Sequence, residues 1–178
     1  MSEFNLLKEY PDLLDLVSLS ENERHHDLQS IFKRDIEDNP DFKFRGMPIY
    51  PIKIDGEADM GRLFKHLTCK EIMCDDNNGK PYPKRVFDID RSRRLHWINH
   101  HIKEKTPENI TIFTLNEKRS NKQKVKRTYI YDKEEEYVIV LEHLRTGGLY
   151  LLTAYFLNEE YGKKAIEKKM RKSTAYNL

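Results

Sequence analysis

The stretch YVIVLEHLRTGGLYLLTAYFL, residues 137–157, holds two apolar runs either side of Arg145-Thr146-Gly147-Gly148. A glycine pair between such runs reads as strand, turn, strand. Side chains on a strand repeat every two residues, so Thr153 and Tyr155 share one face, and Leu152, Ala154 and Phe156 the other. A basic stretch, NKQKVKRTYIY (121–131), precedes this hairpin, and NEEYGKKAIEKKMRK (158–172), which reads as a basic helix, follows it. Hydroxyls on a sheet between two clusters of positive charge suggest contact with a phosphate backbone.

Working outward, ITIFTLN (110–116) and KRTYIYD (126–132) add two more strands ahead of the hairpin. RSRRLHWINHHIKEK (91–105) reads as a helix capped by Asp90, with Leu95, Ile98 and Ile102 as its buried stripe and Pro107 at its end. A helix, four consecutive strands and a basic helix predict an α+β domain with a four-stranded antiparallel sheet. Upstream, ENERHHDLQSIFKRDIED (21–38) reads as an amphipathic helix, with Leu28, Ile31, Phe32 and Ile36 inward. Short helical pieces are expected over 3–8 and 11–19, around Pro11. Residues 42–54 alternate but contain Pro48 and Pro51, which predicts an edge strand or irregular hairpin. Asp59 can cap a helix through Met60, Leu63, Phe64 and Leu67. CDDNNGKPYPK (74–84) has the composition of an exposed loop. It divides an N-terminal accessory region, 1–80, from a C-terminal domain, 81–178.

The chain has 178 residues, 35% of them charged, and a net charge of only +2. That balance conceals a split. Residues 1–90 carry 13 Lys and Arg against 19 Asp and Glu, and residues 91–178 carry 19 against 11. The basic half suggests an anionic partner. Cys69 and Cys74 form no disulfide framework and fit a reducing, cytoplasmic compartment. No run approaches the roughly 20 apolar residues of a membrane span, so no membrane partner is expected.

Residues FDIDRSRRLHWI (87–98), YVIVL (137–141) and LLTAYFLNEEYGKKAIEKK (151–169), with FKHLT (64–68), resemble phage- and prophage-encoded members of the barnase/colicin/RelE-like nuclease superfamily. The resemblance implies a helical lead-in, an antiparallel sheet, and cleavage of RNA without metal or cofactor, in which the ribose 2′-hydroxyl attacks the adjacent phosphorus. By position class it implies His96 or Arg94 in the leading helix, Arg127 on an early strand, and Thr153 with Tyr155 on the final strand. Glu142 is the only carboxylate within a strand that could serve as base.

That chemistry needs a base for the 2′-proton, an acid for the leaving oxygen and a cation on the phosphate. His96 suits a proton role near neutrality, and His100 shares its face at i, i+4. Arg127 can grip phosphate bidentately, and Tyr129 and Tyr131, on its face, could stack bases. Arg94, Lys124, Lys126, Lys163 and Lys164 are the expected substrate-binding cations. His96 and His100 have the spacing of two zinc ligands, but Trp97 stands where a zinc hydrolase needs glutamate, so no metal is expected. The leading expectation is a toxin-like ribonuclease acting on tRNA or mRNA. The alternative is a non-catalytic module that binds nucleic acid or protein, with an inhibitor or an acidic host protein as further candidate partners.

Overall fold

The computed structural model describes residues 3–51, 53–54 and 57–175. Ser20 accepts from the Glu23 N–H while the Glu23 carboxylate reaches back to the Ser20 N–H, a reciprocal cap that starts α1 (Glu21–Phe32). A π turn, Lys33–Glu37, extends it. Leu28, Ile31, Phe32 and Ile36 are buried as expected. Of the two expected N-terminal pieces, Glu3–Leu7 forms a short 3-10 turn and residues 11–19 contain no helix. The proline-containing stretch gives β1 (Lys43–Phe44) and β2 (Met47–Tyr50), reversing at Arg45–Gly46, both with positive φ. A small ribbon of β3 (Lys53–Ile54) and β4 (Glu57–Ala58) leads to Asp59, which accepts from the Arg62 N–H at 2.8 Å and caps α2 (Met60–Thr68).

The next segment departs from expectation twice. Residues 74–84 are mostly strand: β5 (Cys69–Asp75) pairs with β6 (Pro81–Phe87). The turn chemistry at Asp76–Lys80 is as the composition suggests, with Asp76 Oδ1 accepting from the Asn78 and Lys80 N–H groups. It occupies few residues, and an exposed two-stranded ribbon tolerates Pro81 and Pro83. The expected helix 91–105 is broken. Asp88, not Asp90, caps α3 (Ile89–Ser92), residues 93–96 form a tighter turn, and α4 (Trp97–Ile102) resumes. Leu95 and Trp97 are both buried, at 1% and 0% exposure. Residues two apart cannot lie on one face of a regular helix, and the tighter turn brings both inward.

The strands expected around the hairpin are present: β7 (Ile110–Lys118), β8 (Lys124–Asp132), β9 (Tyr137–His143) and β10 (Leu149–Phe156). They pair antiparallel in chain order, followed by α5 (Glu160–Lys172) and β11 (Thr174–Ala175). The class is α+β, but a four-stranded antiparallel sheet is not what forms. The sheet is mixed and wider, in the order β1-β2-β10-β9-β8-β7-β11. On one edge β2 runs parallel to β10 through Ile49↔Leu149 and Tyr50↔Tyr150, and on the other β11 pairs with β7. Both additions cover strand edges that would otherwise present unpaired backbone groups. Pairings two residues long leave no periodic signal in sequence.

The sheet is packed on both faces, which is why β9 reads as a continuous apolar run. On one face Ile130, Ile139, Leu141, Leu149, Leu151 and Ala154 join Leu14, Leu16, Leu28, Phe32, Leu67, Trp97 and Ile98 in a single core. Residues from either side of position 80 contribute to it. On the other face Phe113, Tyr129, Tyr131, Val138 and Val140 pack beneath Ile166 of α5. A bulge between Leu151 and Thr153 moves Leu152 to the α5 side, away from the face of Ala154. Among the described residues no helix is long and apolar enough to cross a membrane.

Candidate nucleic-acid interface

Unequal strand lengths create the site. β7 and β8 stay paired out to Lys118↔Lys124, whereas β8 and β9 part beyond Arg127↔Glu142. The β7–β8 hairpin therefore overhangs the end of the sheet, leaving a notch of about 700 Å³ between residues 119–127 and the β9–β10 turn. Among the described residues, Lys53, Arg119, Lys124, Lys126, Arg127 and Arg145 line it against one carboxylate, Glu142. A hollow beside it, lined by Lys118, Lys124, Lys126, Arg127, Lys169 and Glu117, continues the basic surface toward α5. Like charges gathered in a concavity focus their field on an incoming anion.

Two of these cations, Arg119 and Arg127, are held by Glu142, and Arg127 also by Glu117 of the adjoining hollow. Arg127 Nε donates to Glu142 Oε2 at 3.1 Å and its Nη1 to Glu117 Oε2 at 3.2 Å. Arg119 Nε donates to Glu142 Oε1 at 2.9 Å, and its Nη2 bonds the same oxygen. Glu142 is 1% exposed, so this pairing is what allows a carboxylate to stay there. Glu117 also accepts from Tyr129 Oη at 2.7 Å and from Lys169. Burial opposes its ionised form, but the bonds from Lys169 and Tyr129 prevail and hold its pKa below the usual carboxylate value. Burial likewise opposes the charge on Arg127, and its bonds to Glu142 and Glu117 outweigh that and raise its pKa. Behind the notch, Thr128 Oγ1 lies 2.7 Å from His143 Nε2 and 3.0 Å from Thr114 Oγ1. Burial, reinforced by Lys126, pushes the His143 pKa down.

The expected catalytic residues do not converge. Arg127, Thr153 and Tyr155 do share the α5 face of the sheet, through Thr153↔Val140↔Tyr129 and Tyr155↔Val138↔Tyr131. Tyr155 is four residues along from Arg127 in that register, about 13 Å at the usual strand rise. Both hydroxyl residues are half-buried, and burial raises the Tyr155 pKa. His96 sits on the opposite side of the sheet, in the turn before α4, with its ring 2.9 Å from the Asp12 carbonyl. Since a carbonyl only accepts, Nε2 carries the proton, and burial pushes the His96 pKa down to about 4. His100 lines the same hollow as His96, stacked at 4.4 Å on Tyr10.

Of the expected substrate-binding residues, Lys124 and Lys126 are exposed at the notch. Arg94 is 7% exposed; it donates to the Asp90 carbonyl and lies 3.7 Å over the Phe156 ring. Lys163 pairs with Glu136 at 2.6 Å and Glu160 at 3.3 Å, while Lys164 is exposed on α5. Tyr129 and Tyr131 are core residues, at 3% and 2% exposure, and present no stacking surface. The half-exposed aromatic beside the notch is Tyr150, paired with exposed Tyr50.

Arg119, Glu117 and Lys169 carry no local signal in the sequence, because only the fold brings them to Glu142 and Arg127; His143 follows Glu142 directly and points to the other face of the strand. One signal was present: a glutamate inside the apolar run YVIVLEHL needs partners when that strand is buried. Among the described residues no three His, Cys, Asp or Glu side chains could hold a metal ion. Cys69 and Cys74 lie five apart on β5 and therefore face opposite sides of the ribbon. No protein-family model, curated protein or solved structure matches this chain.

Proposed function

We propose that this protein binds the phosphate backbone of RNA in the notch at the end of its sheet. The observation that carries this reading is the lining itself: among the described residues, six cations, on β3, the β7–β8 hairpin and the β9–β10 turn, face one buried carboxylate. Phosphate contacts of this kind are independent of sequence and weaken as salt rises. Lys169 of the basic helix α5 lines the adjoining hollow and extends the same surface. Binding is measured by fluorescence anisotropy with a labelled RNA across a salt series. Replacing Lys124, Lys126 and Arg145 together with alanine weakens binding and flattens the salt slope; an unchanged slope removes the notch from the interface.

RNA cleavage is a second reading, favoured by one observation: a carboxylate, an imidazole and two guanidiniums line the same notch, in Glu142, His143, Arg127 and Arg119. His143, whose pKa burial lowers, or Glu142 would take the 2′-hydroxyl proton. The 2′-oxygen would attack phosphorus as the P–O5′ bond breaks, and the 5′-oxygen would take a proton from the protonated base or from water, giving a 2′,3′-cyclic phosphate and a 5′-hydroxyl. Arg127 or Arg119 would turn from its carboxylate to the phosphorane oxygens. Cellular tRNA and mRNA are the substrates to try, with end-group analysis of the products and a 2′-deoxy control. RNA that is bound but left intact retains the binding reading and removes this one.

A further inference from the structure

Pairing across the sheet sets four side chains in one row. Tyr50 on β2 is opposite Tyr150 on β10, Tyr150 is opposite Glu142 on β9, and Glu142 is opposite Arg127 on β8. Partners directly opposite in a sheet point to the same face. The row therefore runs from two aromatic rings into the charged network of the notch. Ile49 and Leu149, the neighbouring pair, point the other way into the main core. α5 packs over Phe113, Tyr129, Val138 and Val140, further along the same face, and leaves the Tyr50–Tyr150 end uncovered.

The Tyr50 ring is seated by the turn beside it. A Cβ on Gly148 would stand 3.0 Å from Tyr50 Cε2 and 3.2 Å from the Pro48 carbonyl, so only glycine lets the ring lie against that backbone. Gly148 also has φ +103, a conformation that side chains with a Cβ rarely adopt. Tyr50 nevertheless stays 43% exposed. Tyr150, its partner across the seam, lines the notch with Lys53 and Arg145, so the pair offers a flat apolar surface next to phosphate-binding charge.

We propose that Tyr50 and Tyr150 form a base-stacking platform, so that the notch takes unpaired nucleotides in preference to duplex. This rests on the backbone-binding reading above and adds to it the class of polynucleotide. In a duplex the base faces are stacked on one another and unavailable to a side chain; in a single strand each base offers a free π-face. Positive charge alone makes no such distinction.

The test uses the full chain and four probes of equal length: single-stranded RNA, single-stranded DNA, duplex RNA, and single-stranded RNA containing 2-aminopurine. The platform predicts that both single strands bind more tightly than duplex and that 2-aminopurine fluorescence is quenched on binding. Tyr150→Leu and Tyr50→Leu, which keep an apolar side chain without the ring, each lower single-strand affinity about five- to a hundredfold and abolish the quench. Tyr50→Phe and Tyr150→Phe retain both. Duplex affinity is the same in all variants, which separates loss of stacking from loss of fold. Equal binding of duplex and single strand, with no quench, overturns the platform while leaving backbone binding intact. Failure to bind any of the four probes overturns the backbone reading itself, and the platform with it.

Discussion

Replacing Glu142 with glutamine moves stability and binding in opposite directions. The carboxylate receives bonds from Arg119 Nε and Nη2 and from Arg127 Nε, and is 1% exposed. Removing one partner of a fully buried ion pair costs about 3–5 kcal/mol. Here the guanidinium side chains are 38% and 22% exposed, so water recovers part of that loss. Arg127 also keeps Glu117 at 3.2 Å. Glutamine preserves the shape and one acceptor oxygen, and about 2 kcal/mol is the expected cost. For a chain of 178 residues that lowers Tm by about 4–8 °C. The same change frees two guanidiniums from their shared counter-charge. Each additional phosphate contact steepens the dependence of log K on log salt by about 0.7 for a single strand. Scanning calorimetry and salt-dependent anisotropy on one preparation read both effects. A Glu142→Gln variant that melts lower yet binds RNA more tightly at low salt, with a steeper slope, supports the network as described. Weaker binding by a folded variant would refute it, because Glu142 would then belong to the contact itself. On the cleavage reading the same variant also loses its rate if Glu142 is the base.

Asp132 is fully buried and accepts from Tyr10 Oη at 2.7 Å, His101 Nε2 at 2.9 Å and the Glu135 N–H at 3.0 Å. Asp132→Ala leaves those donors unpaired and should cost about 3–5 kcal/mol in urea unfolding, without changing the notch charge. His96 and His100 are both pushed from 6.5 to about 4, by burial first. The unfolded chain therefore binds more protons than the folded one between those values, so stability is complete above pH 6.5 and declines as pH falls toward 4. Urea midpoints at pH 7.5 and 5 report this, and the difference shrinks in His96→Gln. Gly148→Ala, with its Cβ 3.0 Å from the Tyr50 ring and φ at +103, should destabilise the fold by about 1–3 kcal/mol, measured by calorimetry.

The central strands were legible in the sequence because each carries its own signal. YVIVL is an apolar run, KRTYIYD a β-branched and aromatic one, and Gly147-Gly148 mark the turn between β9 and β10. The edge hairpin within 42–54 was legible, but its parallel pairing with β10 and the presence of β11 were not, since β2 and β11 meet the sheet through two residue pairs apiece and are placed by tertiary packing. Arg127 was legible as a candidate cation, and Lys124 and Lys126 with it, because charge on a strand end is visible locally. Their partners Glu117 and Arg119 come together with Glu142 only once the β7–β8 hairpin folds over. His96 drew attention as the residue type suited to proton transfer. Its neighbour Trp97 decides its fate: both rings bond the same Asp12 carbonyl, at 2.9 and 3.1 Å, which fastens His96 inside the N-terminal packing. Arg94 was misjudged for a related reason, since a guanidinium can lie flat on an aromatic ring, and Phe156 is near only in three dimensions.

The parallel seam between β2 and β10 has a consequence for the order of assembly. Ile49 and Leu149 meet across a loop of 100 residues, and closing a loop of that length costs about 4 kcal/mol of chain entropy. The β7–β8 and β9–β10 hairpins close over short turns and can form early. During synthesis β2 emerges long before its partner strand, so α1 must keep Leu28, Ile31 and Phe32 out of other contacts until the last strands arrive. The chain therefore passes through an interval in which an apolar helix face and an unpaired strand coexist, and exposed surface of both kinds favours aggregation.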